Sequence, residues 1–323
     1  MPIVEASWIF VVSGLAIIPL AGILGEATEH LAEHVGPGVG GLLNATFGNA
    51  AELIIAVFAL QAGLYGVVKA SITGSIIGNL LLVLGASMLA GGLKYKTQSF
   101  NAMAAGMNST LLLLSTAGLV VPALFFYLVT THDIPADQVA VLDQDVSLVF
   151  SLQTHKHLYD ATDYETEGGA EFEEPWSIKK SSIILAVSTI FVALMSELLV
   201  HSIAETTESW GMTEVFVGVI VVAIVGNAAE HSAAIMMALK NKMDIAVTIA
   251  IGSSSQVALL LAPMLVFLSY FIGPAPMDLV FSPLEVLAII LSSASPSIFS
   301  FPGSNNRGSP AAVSHGPSIS ISR

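Results

Sequence analysis

A chain of 323 residues that is 54% hydrophobic and 11% charged, with a mean hydropathy of +0.81, has too little polar surface to coat a water-soluble globule; its solvent is the bilayer. A formal charge of -14 with ten Lys and Arg excludes a nucleic-acid-binding surface, which has to be basic, and makes cations the better-matched partners. The absence of Cys removes disulfides, thiolate metal sites and cysteine nucleophiles.

The first apolar stretch, Ser7 to Leu24, is preceded by no Lys or Arg and followed by Gly25-Glu26 rather than a cleavage site, so it reads as a retained span. Just beyond it, His30-Leu31-Ala32-Glu33-His34 has the H-x-x-E-H spacing of inverted zinc peptidases, in which two His bind zinc and Glu activates water. The bland reading of the same residues is a charged helix end at the membrane interface. Further apolar runs predict spans over 41–62, 66–92, 105–130, 181–203, 214–239 and 243–272, making seven in all. An eighth begins at Pro283 and stops near Ser292, about half the length of a crossing helix.

Between the fourth and fifth spans, Asp160 to Glu174 holds seven carboxylates without a Lys or Arg, a solvated acidic linker that alternatively gathers cations. From Ser292 the composition turns to Ser, Pro and Gly, where no packed helix is expected. The chain therefore divides into a first membrane repeat (1–138), a short span plus acidic linker (139–178), an incomplete second repeat (179–291), and a tail (292–323) that reads as disordered or as a non-native frame.

The repeats are defined by one offset. Gly48-Asn49-Ala50-Ala51-Glu52 recurs 178 residues later as Gly226-Asn227-Ala228-Ala229-Glu230, and Gly74-Ser75 recurs at the same distance as Gly252-Ser253. Each unit reads as a helix carrying Asn and Glu, a turn, and a second helix entered through Gly-Ser. Asn and Glu three residues apart share a helix face, where an amide oxygen and a carboxylate converge on one ion. Gly48 and Gly226 permit close approach and local opening of the helix. Oxygen ligands of this kind suit hard cations such as calcium. A carboxylate in mid-span costs about 2.5 to 3.5 kcal/mol on insertion scales, so Glu52 and Glu230 need a purpose, and ion translocation supplies one. The competing reading is a protonated structural carboxyl. His231 adjoins Glu230, and Glu197 and His201 share a face of their span; proton relay and structural pairing are both open for them.

These motifs, with Gly74 to Gly85 (GSIIGNLLLVLG) and Gly226 to Gln256, resemble the cation/proton exchangers of the calcium/cation antiporter superfamily over most of residues 20–291. The resemblance implies an all-α, inverted-repeat antiporter bundle like that of the sodium/calcium exchangers. It also implies that Glu52 and Glu230 bind calcium and protons alternately, with Asn49 and Asn227 beside them and Ser75, Ser253 and Gln256 on the facing helices. Sodium/calcium exchangers usually carry Ser-x-Pro-Glu or Ser-x-Pro-Asp here; Asn-Ala-Ala-Glu in both copies favours proton coupling. The implied activity is secondary active antiport of a divalent cation against protons, not enzymatic catalysis. It needs no cofactor, and the partners are the ion, protons and the bilayer. The expected location is the cell membrane in a prokaryote and a vacuolar or other endomembrane in a eukaryote.

Inverted repeats require an odd number of spans from Glu52 to Glu230, and the hydropathy count is even. One central span is missing, with only Val146 to Leu152 where it should lie, and the last C-terminal spans are absent too. A nonfunctional or regulatory fragment is accordingly the alternative to a working exchanger.

Overall fold

The computed structural model describes residues 3–35, 37–130, 176–296 and 318–322. They form ten helices: α1 (Ile3–Val35), α2 (Pro37–Phe47), α3 (Ala50–Gln61), α4 (Tyr65–Lys94), α5 (Ala102–Thr130), α6 (Ile178–Trp210), α7 (Glu214–Gly226), α8 (Ala228–Leu239), α9 (Met243–Ser269) and α10 (Pro283–Ala294). A short strand, β1 (Thr97–Asn101), pairs antiparallel with β2 (Ser318–Ser322) in the tail.

Five helices are long and apolar enough to cross a membrane, and α7 with α8 makes a sixth span bent by 61°. The predicted spans at 41–62 and 214–239 are thus not continuous; each breaks at its Gly-Asn. Asn49 (φ -96°, ψ 14°) and Asn227 (φ -100°, ψ 16°) leave helical geometry in nearly the same way. The Gly-Ser pairs do not open their helices but sit mid-length, because α4 and α9 start nine residues earlier. Just beyond each pair the helix widens into a π-helical turn, Gly78–Val83 in α4 and Val257–Leu261 in α9.

The 178-residue offset maps whole helices: α1 on α6, α2 on α7, α3 on α8, α4 on α9, α5 on α10. Matched helices run in opposite directions. Phe10, early in α1, meets Trp210 at the end of α6 (ring centroids 6.0 Å), whereas His30, late in α1, stacks on Trp176 just before α6 (4.4 Å). Tyr65 and Lys69 at the start of α4 bond Ala275 and Asp278 after the end of α9, and Lys94 at the end of α4 and Tyr95 just beyond it bond the carbonyl of Leu239 at the end of α8. Tyr127, near the end of α5, donates to the Phe281 carbonyl on the same face as Tyr65. Trp176 therefore lies on the opposite face from Tyr127, as an inverted repeat demands. The shortened span near 139–152 and the acidic linker lie outside the described residues.

Large apolar side chains such as Trp8, Leu15, Leu89, Leu93, Ile190 and Phe271 point outward, where lipid replaces water. Inside, small residues bring the helices together: Gly14 faces Leu199 and Val225 at 3.7 Å, and Ala59, Ala70, Ala234 and Ala250 are buried. Many buried hydroxyls bond their own helix one turn back, as Thr28 does to Leu24 (2.8 Å) and Ser109 to Ala105 (2.7 Å). The fully buried side-chain pairs that link helices, Ser75 with Glu52 and Asn227, and Asn79 with Ser253, lie around the two breaks.

Candidate cation site

Both helix breaks face the π-helical turns of α4 and α9 in the middle of the bundle. Asn49 and Asn227 occupy the helix-capping positions of α3 and α8, yet neither side chain caps its helix. Both reach across the repeat boundary instead. Asn227 donates to Ser75 Oγ (2.8 Å) and to the Ala223 carbonyl (2.9 Å); Asn49 donates to Gln256 Oε1 (2.8 Å). Ser75 in turn donates to Glu52 Oε1. The first repeat's carboxyl is thereby positioned by an amide of the second.

Glu52 is 1% exposed, and the absent side chain of Gly226 lets the second break lie against it: a Cβ there would stand 3.2 Å from the Cβ of Glu52. Glu230 is half-buried in the first turn of α8, three residues after the second break at Asn227. Three buried oxygens in this cluster, Glu52 Oε2, Glu230 Oε2 and Asn227 Oδ1, have no hydrogen-bond partner among the described residues. A buried acceptor without a donor costs about 1–3 kcal/mol, and all three are atoms that a hard cation or a proton takes up. No group of three or more His, Asp or Glu stands together among the described residues; the cluster is two carboxylates with amides and hydroxyls.

Gly48, Asn49, Glu52, Ser75, Gly226, Asn227, Glu230, Ser253, Gln256 and His231 all fall in this central region. Sequence reasoning missed Asn79. It donates to Ser253 Oγ (3.1 Å), and its Oδ1 meets His231 Nε2 at 3.1 Å, so it ties Ser253 to the residue after Glu230. Its repeat partner is Val257, so self-comparison passes over it. The available signal was a lone amide inside the apolar run Ile76 to Leu84.

Glu197 does not line the site, contrary to the sequence reading. It and His201 lie on the exposed side of α6, because the buried face of that helix carries Ser196, Leu199 and Val200 instead. The peptidase-like His30 is engaged otherwise: its ring stacks on Trp176, which also carries Lys180 Nζ 3.9 Å from its centroid, while His34 Nδ1 meets the His30 carbonyl (2.8 Å).

An inverted pair of five-helix repeats enclosing a two-carboxylate centre defines an antiporter-type membrane protein. The family model described as sodium/calcium exchanger protein matches residues 5–150 and 180–313, and the chain belongs to that family. It is 49% identical over 290 residues to the Ca(2+)/H(+) antiporter ChaA of Bacillus subtilis (strain 168), covering 87% of this chain and 82% of that one. It is 44% identical over 318 residues to the Ca(2+)/H(+) antiporter of Synechocystis sp., covering 92% and 85%. The crystal structure of the selenium-substituted Ca2+/H+ antiporter protein YfkE superposes with a TM-score of 0.77 at 43% identity, covering 93% of this chain and 86% of that one.

Proposed function

We propose that this integral membrane protein is a secondary active transporter that exchanges calcium for protons at Glu52 and Glu230. The observation that carries the reading is the set of three buried, donorless oxygens contributed by both repeats. Two carboxylates balance a divalent cation, and protonation of the same pair also removes its charge. Loaded with either ion the centre is neutral and can change its exposure through the membrane; empty, it holds two like charges in a low-dielectric interior, which is costly. That difference couples the ions and prevents a leak. Asn49, Asn227, Ser75, Ser253 and Gln256 complete the oxygen environment and hold the carboxyls in register. The names of the relatives agree with this chemistry.

The lysines support an orientation. Lys94, Lys96, Lys179, Lys180, Lys240 and Lys242 all lie at the face where α1 ends and α6 begins, whereas Lys69 lies at the other and is paired with Asp278 (2.9 Å). Positive charge is retained on the cytoplasmic side, so the lysine-rich face is cytoplasmic. The test is calcium uptake by vesicles containing this chain on imposing a proton gradient. Uptake that collapses with the gradient supports exchange; no gradient-dependent uptake favours the fragment reading.

A further inference from the structure

The two repeats match helix for helix, but they do not pack alike. In the second repeat, α7 closes against the first half of α4. The missing side chain of Gly74 is filled by the backbone of Val219, and a Cβ on Gly218 would come within 2.7 Å of the Val67 carbonyl and 2.5 Å of the Ala70 Cβ. In the first repeat, the corresponding helix α2 lies along α1, where Gly40 meets the Ala32 carbonyl, with 2.6 Å from a built Cβ. Gly252, the repeat partner of Gly74, has nothing within 4 Å of its Cβ position among the described residues. The helix geometry differs in the same sense: residues 217–222 form a π-helical turn, while their partners 39–44 are α-helical.

The α4–α7 contact lies between the site and the face of Tyr65, and the matching gap between α2 and α9 lies between the site and the lysine-rich face. Among the described residues the bundle is thus packed shut on one side of the site and open on the other. Gly22, Gly25, Gly78, Gly85 and Gly92 also have no described atom at their Cβ positions, but their repeat partners are not glycines; Gly252 differs in that its partner, Gly74, is packed on backbone, and in a helix that would be more stable with alanine this pairing asks for an explanation. The inverted repeat supplies the explanation. Exchanging the roles of the two halves brings Gly252 against the backbone of position 41, and Gly40 against Ile245 and Thr248, the partners of Val67 and Ala70.

We propose that Gly252 and Gly40 form the contact on which the site closes toward the lysine-rich face, and that Gly74 and Gly218 form its counterpart on the other face. The assignment rests on the exchanger reading only for its use in transport; the two packings are a property of the fold. It makes a methyl group at position 252 harmless to the structure described here and obstructive to its alternate.

The chain has no Cys, so a single introduced thiol is a unique reporter. Ile245→Cys places it on the Gly252 stripe of α9, half-buried at the open side. Its reaction with an impermeant maleimide applied from the lysine-rich face is compared in full-length protein in vesicles carrying Gly252→Ala, Gly74→Ala, or Gly85→Ala, a glycine that also has nothing within 4 Å of its Cβ position. Gly252→Ala should raise labelling to its ceiling and remove any protection by calcium, while lowering exchange by roughly tenfold. Gly74→Ala should protect the thiol, and Gly85→Ala should leave labelling and exchange unchanged. If Gly252→Ala labels and exchanges as Gly85→Ala does, the assignment is wrong, whether or not Gly74→Ala folds. If the parent protein exchanges no calcium for protons but the labelling pattern holds, the exchanger reading fails and the closing contact stands.

Discussion

Asn227, at the helix break of the second repeat, donates its amide at 2.8 Å to Ser75 in the first, and the Ser75 hydroxyl donates a hydrogen bond to Glu52. The carboxyl of one repeat is therefore oriented by the amide of the other, and the two breaks form a single centre. Ser75→Ala removes the link and leaves Glu52 Oε1 and the Asn227 amide short of a partner. The expected cost is about 1–3 kcal/mol of stability together with weakened cation affinity. Thermal unfolding in detergent and the calcium concentration for half-maximal uptake measure the two effects separately.

Asn79 is the corresponding joint on the other side, between Ser253 and His231. Asn79→Val, which installs the residue found at its repeat partner, should lower cation affinity by about tenfold, or about 1.4 kcal/mol, with little loss of maximal rate. Asn79→Gln should recover part of the loss, because its amide can still bond one neighbour. An unchanged half-saturation concentration in Asn79→Val would remove Asn79 from the site.

Asn79 and Glu197 mark what sequence does and does not carry. The paired Gly-Asn-Ala-Ala-Glu strings and their one offset revealed two related units, because each position is filled twice by the same chemistry. Asn79 escaped because Val257 fills its partner position; the network is asymmetric where the repeats are not. Glu197 and His201 do share one face, as their spacing of four requires, and the structure turns that face outward, which spacing alone does not determine. The Gly-Ser pairs recur at the same offset, but recurrence does not say where along a helix they fall; in this bundle Gly74 marks a close contact in mid-helix rather than an entrance.

Since Glu197 faces outward, Glu197→Gln and Glu197→Leu should keep calcium uptake within about twofold of the parent, as surface substitutions away from a site do. Proton-driven uptake of each variant, normalised to the protein in the vesicle, checks this. A loss comparable with that of a central carboxyl would return Glu197 to the pathway.

The six lysines at one face set an expected sidedness. In whole cells, Lys240→Cys and Lys242→Cys should be shielded from an impermeant maleimide until the membrane is permeabilised, whereas Glu208→Cys, near Trp210 on the other face, should react at once. The reverse pattern would invert the orientation.

The most direct test of the central claim is proton-driven calcium uptake by vesicles bearing Glu52→Gln, Glu230→Gln or the parent chain. Glutamine keeps the size and hydrogen-bonding capacity of each side chain but cannot give up its charge to a proton or balance one of calcium's. If Glu52 and Glu230 together form the exchanged site, the parent takes up calcium and both single variants fall to background while remaining folded. Full uptake by either variant would contradict the account.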